Sequence, residues 1–337
     1  MMAMMSETNS LSNITNTSTN TCLNTCPNTC LNTSFVFSQE IATANANILI
    51  AVRFITSVGV AGNLVVFVTI CKMKTSSSAS FLVAFLAVCD ALALMTKCAT
   101  YELNLENGPM FCKLGMVPMS MSTAITNWTL VLICVERFIA VHYPLQKRYL
   151  LTKTRMKAAV LVVTVLLAVA LSALSLTFRD YDAQKCSCVV RTIIIFHLMS
   201  DGLDIFIPFV LITVLTIAVI RKIYREKTNR ASTLREGSVP NEAGTFLPSY
   251  KPPQPNIEKT MSVLMIIAVA LYFILNAPLS VYVFLIAPFI RENTFYASML
   301  LYVFKDVSHA LNMFLYFFLC RGFRRALVEL LKCQQQT

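Results

Sequence analysis

Seven long runs of apolar residues, separated by short polar segments, pattern this chain: 47–71, 80–101, 112–140, 156–178, 192–220, 260–287 and 294–318. Each reaches the roughly 20 residues that a helix needs to cross the hydrocarbon core of a bilayer. The pattern predicts an all-α membrane protein, a seven-transmembrane helix bundle over 47–318. An odd number of crossings puts the two chain ends on opposite sides of the membrane. After the seventh run, residues 319–337 are expected to form an amphipathic helix and a short tail. Phe323, Leu327, Leu330 and Leu331 fall on one helical face and the arginines on another, which suits a helix lying on membrane lipid.

The polar segments differ in kind. Residues 1–46 form a tail whose first 40 residues hold no Lys or Arg and repeat Cys22-Leu23-Asn24-Thr25, Cys26-Pro27-Asn28-Thr29 and Cys30-Leu31-Asn32-Thr33. Such a tail has too little apolar surface to fold alone. Its start lacks a basic n-region and an apolar h-region, so the first span is expected to drive insertion. The segment 225–259 is basic at its start and then rich in Pro, Ser and Thr, which reads as a flexible linker.

Composition sharpens the membrane reading, since 56% of the residues are hydrophobic and only 13% charged, against about 45–50% and roughly 25% in soluble domains. Charge then sets orientation. Of 28 Lys and Arg, 20 lie in the segments after the odd-numbered spans or in the span ends that border them, and cytoplasmic loops carry the excess. The N-terminus is therefore expected outside and the C-terminus inside. Asn13, Asn16 and Asn32 head Asn-X-Ser/Thr acceptors on the outer side and are expected to be glycosylated. Asn127-Trp128-Thr129 matches too, but lies inside the third span. Cys333, after the amphipathic helix, is a palmitoylation candidate. Six cysteines fall on the oxidising side, and a bridge from Cys112 to Cys186 or Cys188 would tie the loop before the fifth span to the top of the third.

Ionisable groups inside spans are costly and usually face the bundle interior. Here they are Arg53, Asp90, Lys97, His197, Asp201, Asp204, Lys305, Asp306 and His309. A pair such as Lys97 with Asp306 needs no ligand, whereas Asp201 and Asp204 lie three apart on one face with no cationic neighbour in sequence. The two histidines, without a pattern around them, read as polar packing. The chain carries no Walker loop, metal-spaced His/Cys cluster or nucleophile elbow, so it is not expected to be an enzyme, and no nucleic-acid partner is implied.

From 47 to 333 the residues resemble the rhodopsin-like class A G-protein-coupled receptors. The resemblance is carried in order by Gly62-Asn63, Leu86-Ala87-Val88-Cys89-Asp90, Cys112, Glu136-Arg137-Phe138 with Pro144-Leu145, Pro208, Pro278, and Asn312 with Tyr316. It implies a plasma-membrane receptor that binds an extracellular ligand and activates a heterotrimeric G protein, with arrestin and a receptor kinase as further partners. It implies that Glu136, Arg137, Phe138, Pro144, Leu145 and Glu258 form the coupling end, Arg137 being held by an acid in the resting state. It makes Asp90, Asn63, Thr126, Ser308 and Asn312 a mid-membrane cluster for a structural sodium ion; no other cofactor is expected. It favours Cys188 over Cys186 as partner of Cys112, because Val190 then points toward the ligand pocket.

The activation positions Asn127, Pro208, Tyr272, Asn276, Pro278, Asn312 and Tyr316 depart from the family pattern in part. Asn276 stands where a tryptophan is usual, Asn127 and Tyr272 replace an apolar pair, Thr216 replaces a tyrosine, Met313 a proline, and the fourth span has no tryptophan. Ligand class narrows by mismatch. Met119 stands where amine receptors carry an aspartate, and Asp306 where opsins carry the retinal lysine, with Lys305 one residue off around the helix. The resemblance and the outer acids together suggest a polar, cationic peptide, read by an acidic floor of Asp201, Asp204 and Asp306 that Lys97 or Lys305 partly balances. The alternatives are a receptor-like scavenger that binds without signalling, and a transporter or channel.

Overall fold

A computed structural model describes residues 39–73, 77–103, 109–182, 187–236, 257–282, 286, 295–319 and 321–334. The first span is the helix Gln39–Lys72, the second Ser78–Leu103. The third, Val117–His142, comes after a short helix Pro109–Leu114 that holds Cys112. The expected run from 112 is thus broken at Gly115 and Met116, and Pro118 sits in the first turn of the longer helix. The fourth is Lys153–Phe178, started by Thr152, whose hydroxyl accepts from the Arg155 backbone N–H. The sixth is Ile257–Val281 with Pro278 inside it, and the seventh is Phe295–Ala310 followed by Asn312–Leu319. Over their described residues alone, five of these helices are long and apolar enough to cross a membrane.

The fifth span departs most from expectation. It runs as Ile193–Asp201, a π-helical turn Gly202–Phe206, and Ile207–Glu236. The linker expected from 225 is thus helical through Glu236. Its early residues are good helix formers, and Lys222 pairs with Glu226 one turn on at 3.8 Å. Residues 237–256, with Ser238, Thr245 and Ser249, lie outside the described residues, as do Asn13, Asn16, Asn32 and Cys186.

The first span packs on the second and seventh, the third on the second, fourth and fifth, and the sixth on the seventh and fifth, closing the bundle. Its apolar interior is divided among clusters: Val131, Ile212, Val269 and Tyr272 join spans three, five and six, while Ala124, Leu167, Leu171 and Phe196 join three, four and five. On the outer face of the fourth span Leu161, Leu166 and Val169 are all more than half exposed. Such a face suits the lipid around a membrane-spanning bundle. The amphipathic helix is Arg321–Gln334. Phe323 is buried against Val66, Val83, Ala87 and Tyr316, while Arg324 and Arg325 stay exposed.

One element has no counterpart in the apolar pattern: an antiparallel hairpin, β1 (Arg179–Asp182) and β2 (Ser187–Val190), pairing Tyr181 with Cys188. A disulfide joins Cys188 to Cys112, with the two Cα atoms 5.4 Å apart. Asp180 of β1 pairs with Lys113 at 3.2 Å and with Arg191. The hairpin is thus fastened to the start of the third span by one covalent and one ionic link, and the second ion pair braces its own end.

Candidate functional site

At the Cys112 end of the bundle, the second, third, fifth and seventh spans and the hairpin enclose a cavity of about 100 Å³. Lys97, Met119, Asp201, Asp204, Lys305 and Asp306, the six residues expected to meet ligand, all line it, together with Arg179. The geometry corrects one expectation. Lys97 Nζ lies 2.6 and 2.5 Å from the two Asp306 carboxylate oxygens, and Lys305 Nζ lies 2.6 Å from Asp204 Oδ2. Three acids face three bases, so the lining is balanced in formal charge and not an acidic floor. Burial is the reason: these pairs are all but closed to solvent, and an unpaired charge there would be far more costly than a paired one.

Asp204 does more than hold Lys305. It sits in the π-helical turn, where the backbone skips a register and some carbonyls lose their usual partner. Two neighbours on the third span supply donors: Asn127 Nδ2 to the Asp204 carbonyl at 2.7 Å and to its Oδ1 at 3.0 Å, and Trp128 Nε1 to the Leu203 carbonyl at 2.9 Å. Asn127, unusual as an interior polar residue, is thereby explained. The chain Asn127–Asp204–Lys305 ties spans three, five and seven beneath the cavity. Trp128 and Arg179 carry no signal of such roles in the sequence. Arg179 is buried with its guanidinium 5.2 Å from the Phe196 ring.

Deeper in the bundle, Asp90 is fully buried and its Oδ1 lies 2.8 Å from Nδ1 of His309. Asn63 Nδ2 donates to the carbonyls of Gly59, at 2.9 Å, and His309, at 3.0 Å. Thr126 and Ser308 donate to backbone carbonyls of their own helices. Asn312 begins the last helical segment, its side chain outside the described residues. As a sodium site this set does not fit as expected. A hard cation wants the carboxylate and neutral oxygens around it, but an imidazole nitrogen already engages Asp90.

On the sixth span Asn276 Nδ2 donates to the Tyr272 carbonyl at 2.9 Å, and Ser280 donates to the Asn276 carbonyl at 3.1 Å, around Pro278, which has no N–H to give. Pro208 is buried where the fifth helix resumes after the π turn. The seventh span breaks at Leu311 although Met313 replaces the usual proline, and Tyr316 packs 6.1 Å from the Phe323 ring. Thr216 is buried on the fifth span.

At the opposite end Arg137 Nε lies 2.6 Å from Glu136 Oε2, with both side chains buried. Phe138 stacks on His142 at 4.1 Å. Beyond the helix, Tyr143 and Pro144 are exposed and Leu145 is 94% exposed. Glu258 opens the sixth-span helix, and its side chain lies outside the described residues. Cys333 lies on the terminal amphipathic helix. Among the described residues no group of three His, Cys, Asp or Glu is placed to hold a metal. The sequence model of a family described as 7 transmembrane receptor (rhodopsin family) matches residues 62–320.

Proposed function

Because this chain belongs to the rhodopsin family of seven-transmembrane receptors, a receptor family and not an enzyme family, we propose that it binds an extracellular peptide at the Cys112 end and activates a heterotrimeric G protein at the Arg137 end. The observation that carries this reading is the convergence of Lys97, Met119, Asp201, Asp204, Lys305 and Asp306 on one cavity beneath the disulfide-fastened hairpin. The cavity, about 100 Å³ among the described residues, receives one charged end of the peptide. The remainder of the peptide lies across the hairpin.

The peptide presents a cationic group that competes with Lys305 for Asp204. Asp204 is the favoured partner because its carboxylate also holds Asn127, so a change there is felt on the third span. Loss of the Asn127–Asp204–Lys305 chain frees three spans to shift, a population change driven by the ligand's preference for one arrangement. Arg137 then leaves its acid partner Glu136 and meets the G protein, with exposed Leu145 as an apolar contact. The Lys and Arg excess at that end, 20 of 28, supports placing it in the cytoplasm and the chain in the plasma membrane. A receptor kinase and arrestin act on the hydroxyls between the fifth and sixth spans.

Screening a secreted-peptide library for G-protein activation yields the agonist, and Asp204→Asn then tests its site. A charge-assisted hydrogen bond contributes about 1.5–3 kcal/mol, so agonist potency should fall at least tenfold, while Lys305→Met, which removes the competitor, raises basal activity. Potency within threefold of native for Asp204→Asn, at equal surface expression, would remove Asp204 from the ligand site.

A further inference from the structure

The mid-membrane acid carries a conclusion that does not depend on the ligand. Asp90 is fully buried on the second span, where an ionised carboxylate without a partner is costly. A partner in reach is an imidazole: His309 Nδ1 at 2.8 Å, itself 4% exposed. An imidazole N–H at Nδ1 donates to the carboxylate at this distance. The ring is also held from its backbone side, where the His309 carbonyl accepts from Asn63 on the first span. Gly59, one turn before Asn63, lets the seventh span approach closely enough for this, since a side chain there would meet Ala310.

We propose that His309 is the built-in partner of Asp90 and takes the place of a mobile cation, so that the mid-membrane acid of this receptor does not bind sodium. Sodium would have to draw Asp90 away from a nitrogen donor attached to the chain, and the imidazole is fixed at the site whatever the ion concentration. Three helices are tied at this point by covalently attached groups. The stability of the bundle is accordingly independent of the cation supplied.

A cavity of about 40 Å³ bordered by Asp90, Thr126, Ser308 and His309 adjoins the pair, so sodium binding is a result the experiment could return. The full-length receptor is purified, and its thermal midpoint is measured in equal concentrations of sodium, potassium and choline chloride. The native protein is expected to melt at one temperature in all three salts. His309→Ser, which replaces the imidazole with an oxygen donor, is expected to gain a sodium-specific rise of about 2–4 °C. A sodium-specific rise in the native protein overturns the proposal, and so does a His309→Ser protein that folds but gains none. Should that variant fail to fold, the native protein alone still decides by nitrogen NMR, with only three histidines to assign. A His309 Nδ1 resonance that keeps its position as sodium replaces potassium upholds the assignment, and one that moves refutes it.

Discussion

Gly59 shows how much one missing side chain can decide. A Cβ there would collide with Leu94 Cδ1 and stand 2.9 Å from Ala310 Cβ, so the first, second and seventh spans meet only because it is absent. Leu94 could turn aside, but a methyl on the backbone of Ala310 cannot. Gly59→Val should therefore destabilise the purified receptor by about 1–3 kcal/mol, read as a lower thermal midpoint. Gly202→Ala, where nothing lies within 4 Å and the backbone is helical, should melt no lower than the native protein. Equal midpoints for both variants would mean that the spans do not pack as closely as described. The sequence points to Gly62-Asn63, three residues on, because motif spacing is visible in one dimension and interhelical approach is not. His309 reads as mere polar packing for the same reason. It lies three residues before Asn312, on one helical face, and that spacing is the signal the sequence offers. Asp204, by contrast, has no cationic neighbour in sequence because Lys305 is 101 residues away.

At the scale of elements, the apolar runs match the second and fourth spans to within three residues at each end, whereas the first helix begins at Gln39, eight residues before its run, and the irregular fifth departs further. The π-helical turn Gly202–Phe206 keeps the apolar pattern of its surroundings, so periodicity does not mark it. Its trace in the sequence lies on another element, in the interior polar Asn127 that supplies the Asp204 carbonyl with a donor. The hairpin is equally hidden. Arg179–Asp182 carries three charges in four residues and gains its place from Cys112 and Lys113 rather than from a buried face. The amphipathic helix is legible because a single face, led by Phe323, carries its docking. Trp128 gives the π turn a direct test. Trp128→Phe keeps an aromatic ring but leaves the Leu203 carbonyl without its donor in a region closed to water, at a cost of about 1–3 kcal/mol. The thermal midpoint should fall, and a midpoint equal to the native one would show that the turn does not need the third span.

For the whole molecule, polar contacts succeed one another along the bundle: Lys97–Asp306 and Lys305–Asp204–Asn127 at the cavity, Asp90–His309 and Asn63 at mid-membrane, and Arg137–Glu136 at the far end. Each ties different spans or holds a buried charge, and the apolar clusters between them, such as Val131 with Ile212 and Val269, pack without polar direction. The fold and family are legible in the sequence because hydropathy and motif order are one-dimensional. The balance of charge in the cavity is not, because it depends on which helices face one another. The departures at Asn276, Asn127 and Met313 leave a choice between a receptor that signals and one that only binds. GDP release from a panel of heterotrimeric G proteins, measured with purified native and Arg137→Ala receptor as a secreted-peptide library is applied, tests that choice most directly. A peptide is expected to accelerate GDP release through the native chain and to bind Arg137→Ala without accelerating it. A peptide that binds the native receptor at the cavity and leaves GDP release unchanged for every G protein in the panel would contradict this.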